Sequence, residues 1–294
     1  IYAYNTTGGP YTIALNDVQV IDFQKNGIAL LGEGLTVDLD GVTTTGQGPT
    51  TVTAQNGIQV SGGAGGAITA CKVTDIGYTG TGWAASGLLV QDAGGTVAVS
   101  DMKGANKIDN VQAPINWYTS NGTVDGVEIA NSAKAEWECG IFAYNYNTSL
   151  AAGTVGAAAN REPPAKAAPF DESLLNNATT GALASSYTLD VTNSCLLGTD
   201  ATNTVGIGVY SLGGGMVLNV SNSNVTDWEY GVVHYGGPAT LTAHENSITS
   251  NVSAGLWGDG ATTTHAERNW WGDATGPSGA GSGSGDAAYD ADYD

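Results

Sequence analysis

Short apolar runs recur along this chain, each opening on a glycine, or once a proline, followed by an aliphatic residue. They are GIALL at Gly27, GIQVS at Gly57, GLLVQ at Gly87, PINWY at Pro114, GIFAY at Gly140, GIGVY at Gly206, GVVHY at Gly231 and GLWGD at Gly255. The steps between successive starts are 30, 30, 27, 26, 66, 25 and 24 residues. A fixed period of this size is the signature of a solenoid, in which each repeat buries its apolar face against its neighbours. Within each run the residue after the start is Ile, Leu or Val. Two residues further on stand Leu30, Val60, Val90, Trp117, Ala143, Val209, His234 and Gly258. A period of two is that of a strand, so both positions point into a core and the residues between them point out.

A second strand follows each start by roughly ten residues, as in TVAVSD from Thr96, TLDVTNS from Thr188, VLNVSNSNVT from Val217 and TLTAHENSIT from Thr240. A short third strand, such as NVTDWEYG, completes the coil. Strand, turn, strand, turn, strand predicts an all-β fold: a right-handed parallel β-helix, triangular in section, of about nine or ten coils at roughly 25 residues each. Asn193 and Asn222 fall at matching turn positions, with Asp101 and Glu245 at comparable places in other coils. This predicts a ladder of stacked turn side chains.

The whole of residues 1–294 is expected to form one β-helix domain with two exceptions. Residues 148–185 hold three of the eight prolines, an alanine cluster, Arg161 and Lys166, and predict an inserted loop or arm. Residues 279–294, GAGSGSGDAAYDADYD, predict a flexible acidic tail. In that tail Asp286, Asp290, Asp292 and Asp294 are carboxylates able to take calcium, but no turn converges them, so disorder is expected instead.

NGIQVSGGAGGAIT, GYTGTGWAASGLLVQDAGGTVAVSD and the closing NWWGDATGPSG resemble the right-handed parallel β-helix repeat regions of secreted bacterial and archaeal surface proteins. These belong to the NosD-like, pectin-lyase-like superfamily. The resemblance covers nearly everything outside residues 148–185, and its most specific element is Asn269–Asp273. It implies the fold, and an extracellular, cell-surface location, more than any activity. The family's frequent Gly-Asn-Thr turn is largely replaced, by CKV near Cys71 and SDM near Ser100, so the asparagine ladder is expected to be patchy.

Charge narrows the function further. Eight Lys and Arg against 28 Asp and Glu give a net charge of −20, which repels nucleic acid and polyanionic glycans. No apolar run is long enough for a transmembrane helix, and with no signal peptide at Ile1 the chain reads as a processed or excised piece. Lyases of the resembled superfamily use basic residues on one flank of the helix, whereas this chain has two arginines, Arg161 and Arg268. The related hydrolases carry an Asp-Asp pair and Gly-His-Gly, and neither occurs here.

A neutral-glycan hydrolase would need paired carboxylates. On a β-helix any two acids on adjacent coils stand about 5 Å apart, and those two coils apart about 9.6 Å, so such pairs arise without selection. The weak catalytic candidates are Asp227 and Glu229 near His234, with Glu136 and Glu138 a second pair. His234 sits at an inward position and reads first as a core histidine.

Tyr118, Tyr144, Tyr210 and Tyr235 each stand four residues after a coil start, and Tyr4 joins them when IYAYN is aligned with IFAYN. The alternation turns them outward, as a ladder for stacking sugars or for burial against a partner, or as ordinary cross-strand packing. Cys71, Cys139 and Cys195 match no metal spacing and allow at most one intrachain bridge, or a cross-link between subunits. Seven Asn-x-Ser/Thr sequons, at Asn5, Asn121, Asn147, Asn177, Asn219, Asn224 and Asn251, allow glycosylation.

Together these features predict a non-enzymatic extracellular structural protein. It would assemble with copies of itself into a filament, sheath or surface layer through coil ends, the tyrosine face or the insertion. It needs no cofactor or metal, calcium being the one candidate ion. The alternative is a carbohydrate-active or carbohydrate-binding β-helix, of polysaccharide hydrolase or lyase type.

Overall fold

In a computed structural model, the described residues are 1–81, 83–132, 139–146, 186–199, 204–212, 214–258 and 264–290. They form three parallel sheets of 11, 9 and 8 strands, whose order follows every third strand in the chain. Apart from one 3-10 turn at Gly104–Asn106, the described elements are all strands. This is the predicted parallel β-helix with three faces. The predicted insertion, 148–185, lies outside the described residues, between the strands Cys139–Asn145 and Tyr187–Thr192.

The coil starts form one column of the 11-stranded first sheet. Ile28, Ile58, Leu88, Ile115, Ile141, Ile207, Val232 and Leu256 pair in register, rung on rung. All lie in one continuous core. Seven of the eight follow a glycine and one follows Pro114, and the glycine is fixed by close approach of neighbouring coils. A Cβ at Gly57 would lie 2.7 Å from Gly87 O, one at Gly140 2.7 Å from Gly206 O, and one at Gly206 2.6 Å from Gly231 O. No side chain fits there, and this clash is what writes the repeat into the sequence.

Large core residues need matching space. Trp117 is fully buried and its Nε1 donates to Ser120 O at 2.9 Å. A Cβ at Gly122 would meet its ring at 2.2 Å, so that glycine is the hole into which the indole fits. Trp228 is held likewise, with Nε1 donating to Leu196 O at 3.1 Å.

After each strand of the 9-stranded second sheet, one residue takes left-handed backbone. Asp17, Gly41, Ala70, Asp101, Gly126, Asn193, Asn222, Glu245 and Arg268 have φ between +50° and +63°. Six of the nine are Asp, Asn or Gly, the residues that tolerate this region best. The expected ladder is displaced from them by one residue. The next position in each coil runs Val18, Val42, Cys71, Met102, Val127, Ser194, Ser223, Asn246 and Asn269, and its last four members form a polar ladder, buried at Ser194, Ser223 and Asn246 and half-buried at Asn269. Ser194 Oγ accepts from Val127 N at 3.2 Å and Ser223 Oγ from Ser194 N at 3.2 Å. Asn246 Oδ1 accepts from Ser223 N at 3.0 Å, and Asn269 Oδ1 from Asn246 N at 2.9 Å. The left-handed residue projects outward at the corner, so only its successor can turn into the core.

The tail departs from expectation. Gly285–Asp290 is a strand, parallel to Ala254–Gly258, with Leu256 opposite Ala288 and Trp257 opposite Tyr289. Asp286 anchors it: its carboxylate accepts from Ser250 N at 3.1 Å, Asn251 N at 2.8 Å and Asn251 Nδ2 at 2.9 Å. The expected flexible tail is therefore ordered through residue 290. Asn269–Asp273 serves the same closure, because Asn269 ends the polar ladder and Trp271, 6% exposed, packs on the last coil.

Candidate functional site

The tyrosines share one outward column of the first sheet, as the alternation requires. Tyr4 pairs with Leu31, Gln91 with Tyr118, Tyr118 with Tyr144, and Tyr144 with Tyr210. Tyr235 follows, its N–H donating to Val209 O at 2.9 Å. Their exposure differs from an open ladder. Tyr4 is 58% exposed, whereas Tyr144 is 3% and Tyr235 7% exposed, and Tyr118 and Tyr210 are half-buried.

The reason is a second apolar cluster outside the triangle. Phe142, Tyr144, Tyr235, Cys139, Val205 and Val233 form it, with Tyr118, Tyr146, Tyr210 and Trp257 packed against them. Tyr144 and Tyr210 stack with centroids 5.6 Å apart and planes 4° from parallel, and Phe142 meets Tyr235 edge-on at 6.0 Å. Gly208 opens the space between rungs, since a Cβ there would lie 2.8 Å from the Tyr235 ring. Burial pushes the phenols of Tyr118, Tyr144, Tyr146 and Tyr235 above the ordinary tyrosine value. Tyr146 also donates to the Asp92 carboxylate, which holds its proton further. Phe142 and Trp257 were legible in principle, because both stand one residue after a coil-start aliphatic, at an outward position. Tyr146 carried no such mark.

The weak catalytic candidates are placed apart by role. His234 is fully buried on the inward face, with Nδ1 2.9 Å from Thr264 Oγ1, which makes it a core histidine. Glu229 accepts from the Ser253 hydroxyl, and Asp227 occupies a corner with φ +61°. Glu136 and Glu138 lie outside the described residues. Near the last coil, His244 Nε2 is 2.6 Å from Glu267 Oε2 and His265 Nδ1 is 3.7 Å from Oε1. Among the described residues no group of three or more His, Cys, Asp or Glu could hold a metal ion. Among them, too, no helix is long and apolar enough to cross a membrane.

No disulfide joins Cys71, Cys139 and Cys195 to one another. Cys71 takes a place in the inward column beside the left-handed turn. Its Sγ donates to Thr69 O at 3.3 Å, as the hydroxyls of Ser194 and Ser223 donate two residues back. Burial pushes its pKa up to about 11. Cys139 lies in the aromatic cluster, and Cys195 is half-exposed, so only Cys195 offers a sulfur to a partner without unpacking the coil.

The ends of the solenoid differ most. The first coil consists of β1 (Tyr2–Tyr4), β2 (Tyr11–Asn16) and β3 (Gln19–Ile21), each an edge strand of its sheet. Of the ten exposed large hydrophobic residues among the described ones, five lie here: Ile1, Tyr2, Tyr4, Tyr11 and Ile21, at 48–69% exposure. Ala3, Ile13, Leu15, Val18 and Val20 form the outermost core layer and are only partly buried.

Compared with known proteins, the chain matches no family model, no curated protein and no solved structure.

Proposed function

We propose that this chain is a non-enzymatic, extracellular structural solenoid of a cell surface, whose copies associate through the first coil. We also infer kinship with the β-helix repeat regions of secreted surface proteins that its sequence resembles. The observation that supports association is the first coil itself: its three strands are edge strands around a partly buried apolar layer, and it carries five of the ten exposed large hydrophobic side chains among the described residues. Unpaired edges template pairing with another chain, and an apolar patch concentrated there adds the driving force.

The area sets the strength. A side of six residues spans about 20 Å, which gives a triangular end face on the order of 200 Å². Two such faces bury well under half of the ~1,000 Å² typical of a firm interface. Association is therefore weak and concentration-dependent, and a net charge of −20 on each copy makes it stronger at higher salt. The carbohydrate-active alternative gains no support from the tyrosine ladder, because two of its rungs are enclosed.

Light scattering across concentration, with electron microscopy of the concentrated protein, tests the proposal. The mass should rise above 29.6 kDa with concentration and salt. The double substitution Tyr11→Lys, Ile21→Lys, at exposed positions, should return it to a monomer. A monomer at every concentration would overturn the proposal, as would oligomers indifferent to the double substitution.

A further inference from the structure

We infer that Asn121 is the glycosylation site of the described coils, and that the other four described sequons are closed to a glycan by the fold. This rests on the extracellular part of the proposed function. N-linked modification joins Asn Nδ2 to the anomeric carbon of a sugar, breaks that carbon's bond to a lipid-linked pyrophosphate, and releases the amide proton and the pyrophosphate lipid. The modified nitrogen keeps one hydrogen and gains a bulky substituent. A folded protein accepts it only where Nδ2 faces solvent and makes no bond that the fold requires.

Four sequons fail that condition. Asn251 is 8% exposed, and its Nδ2 donates to Val225 O at 3.2 Å, Thr249 O at 3.3 Å and Asp286 Oδ2 at 2.9 Å. It is the residue on which the tail strand anchors. Asn5 Nδ2 spends both hydrogens, on Gly9 O at 2.7 Å and Glu33 O at 2.6 Å, and so ties the first coil to the second. Asn219 Nδ2 donates to Asp190 Oδ1 at 2.7 Å on the coil below, and Asn224 Nδ2 contacts Cys195 Sγ at 3.9 Å. Both are half-buried on flat sheet faces, where flanking rungs stand about 4.8 Å away and leave no room beside the amide.

Asn121 differs in every respect. It is exposed, and it occupies the corner between the strands Ala113–Tyr118 and Gly122–Asp125 rather than a sheet face. Only its Oδ1 is engaged, accepting from Thr188 N at 2.9 Å, and that bond survives modification of Nδ2. Thr123, the third residue of the sequon, opens onto the outward face of the next strand.

Secretion of the chain from a glycosylating eukaryotic host, followed by enzymatic deglycosylation in heavy-oxygen water and peptide mass mapping, tests the inference. The heavy-aspartate label is expected at Asn121 and absent from Asn5, Asn219, Asn224 and Asn251. Asn121→Gln should remove one glycan's mass while circular dichroism stays unchanged. A bare Asn121 in folded secreted protein, or occupancy of Asn5, Asn219, Asn224 or Asn251, would overturn it. Protein from its own source with a bare Asn121, against an occupied recombinant one, would instead overturn the extracellular reading and leave the site standing.

Discussion

Replacing Asn246 by alanine tests whether the fold is held at its corner by the inward ladder. Asn246 is 3% exposed; its Oδ1 accepts from Ser223 N, and its Nδ2 donates to Val220 O and Asn269 Oδ1, each at 3.0 Å. Alanine strands the Ser223 N–H inside the core and removes the bonds to Val220 O and Asn269 Oδ1. A buried unsatisfied group costs about 1–3 kcal/mol, so the variant should lose roughly that much. Its neighbour Glu245 is the control, because it shares the turn but points outward, at φ +60°, with only an exposed ion pair to Arg268 at 3.3 Å. Alanine at 245 keeps a non-glycine residue in the same backbone region and forfeits at most about 0.5 kcal/mol. Urea unfolding followed by circular dichroism gives both midpoints. Equal midpoints for the two variants, or the larger drop at 245, would refute the displaced ladder.

Four further outcomes follow from the packing. Gly208→Ala places a methyl 2.8 Å from the Tyr235 ring and 3.3 Å from Cys139 Sγ, so it should cost about 1–3 kcal/mol by overpacking, read as a lower melting temperature. Native-state labelling with a thiol reagent near neutral pH should modify Cys195 alone, since Cys71 is buried with its pKa pushed up to about 11 and Cys139 is enclosed; labelling of Cys71 first would contradict the assignment. Cys71→Ser should be tolerated, because serine makes the same bond two residues back in later coils. Burial raises the folded-state pKa of Tyr118, Tyr144, Tyr146 and Tyr235, so their stabilisation is complete below the ordinary tyrosine value of about 10 and is lost as pH rises through the folded-state values. Alkaline titration at 295 nm should show these four ionising late and together with unfolding.

The coil starts were legible because a steric rule is written at every turn of the solenoid. A glycine where backbones touch, replaced once by Pro114, then two inward residues, repeats whatever else varies, and each of the eight starts falls in a strand of the first sheet. What was not legible depends on contacts between coils. Asn193 and Ser194 are both short and polar, and only the outward direction of the left-handed residue decides which of them joins the ladder. The tail has the composition of a solvated segment, and its order comes from one carboxylate, Asp286, meeting the Ser250–Asn251 corner from 35 residues away. The tyrosines follow the outward alternation, but alternation says nothing about what lies on top. Gly208 and Phe142 are what turn Tyr144 and Tyr235 into a buried cluster.

Hydrogen–deuterium exchange of the first coil, followed by mass spectrometry over a range of protein concentrations, tests the central claim most directly. If copies meet at this coil, peptides covering β2 (Tyr11–Asn16) should exchange more slowly as concentration and salt increase, while peptides from middle coils stay constant. Exchange at β2 that is fast and independent of concentration would contradict association through this edge.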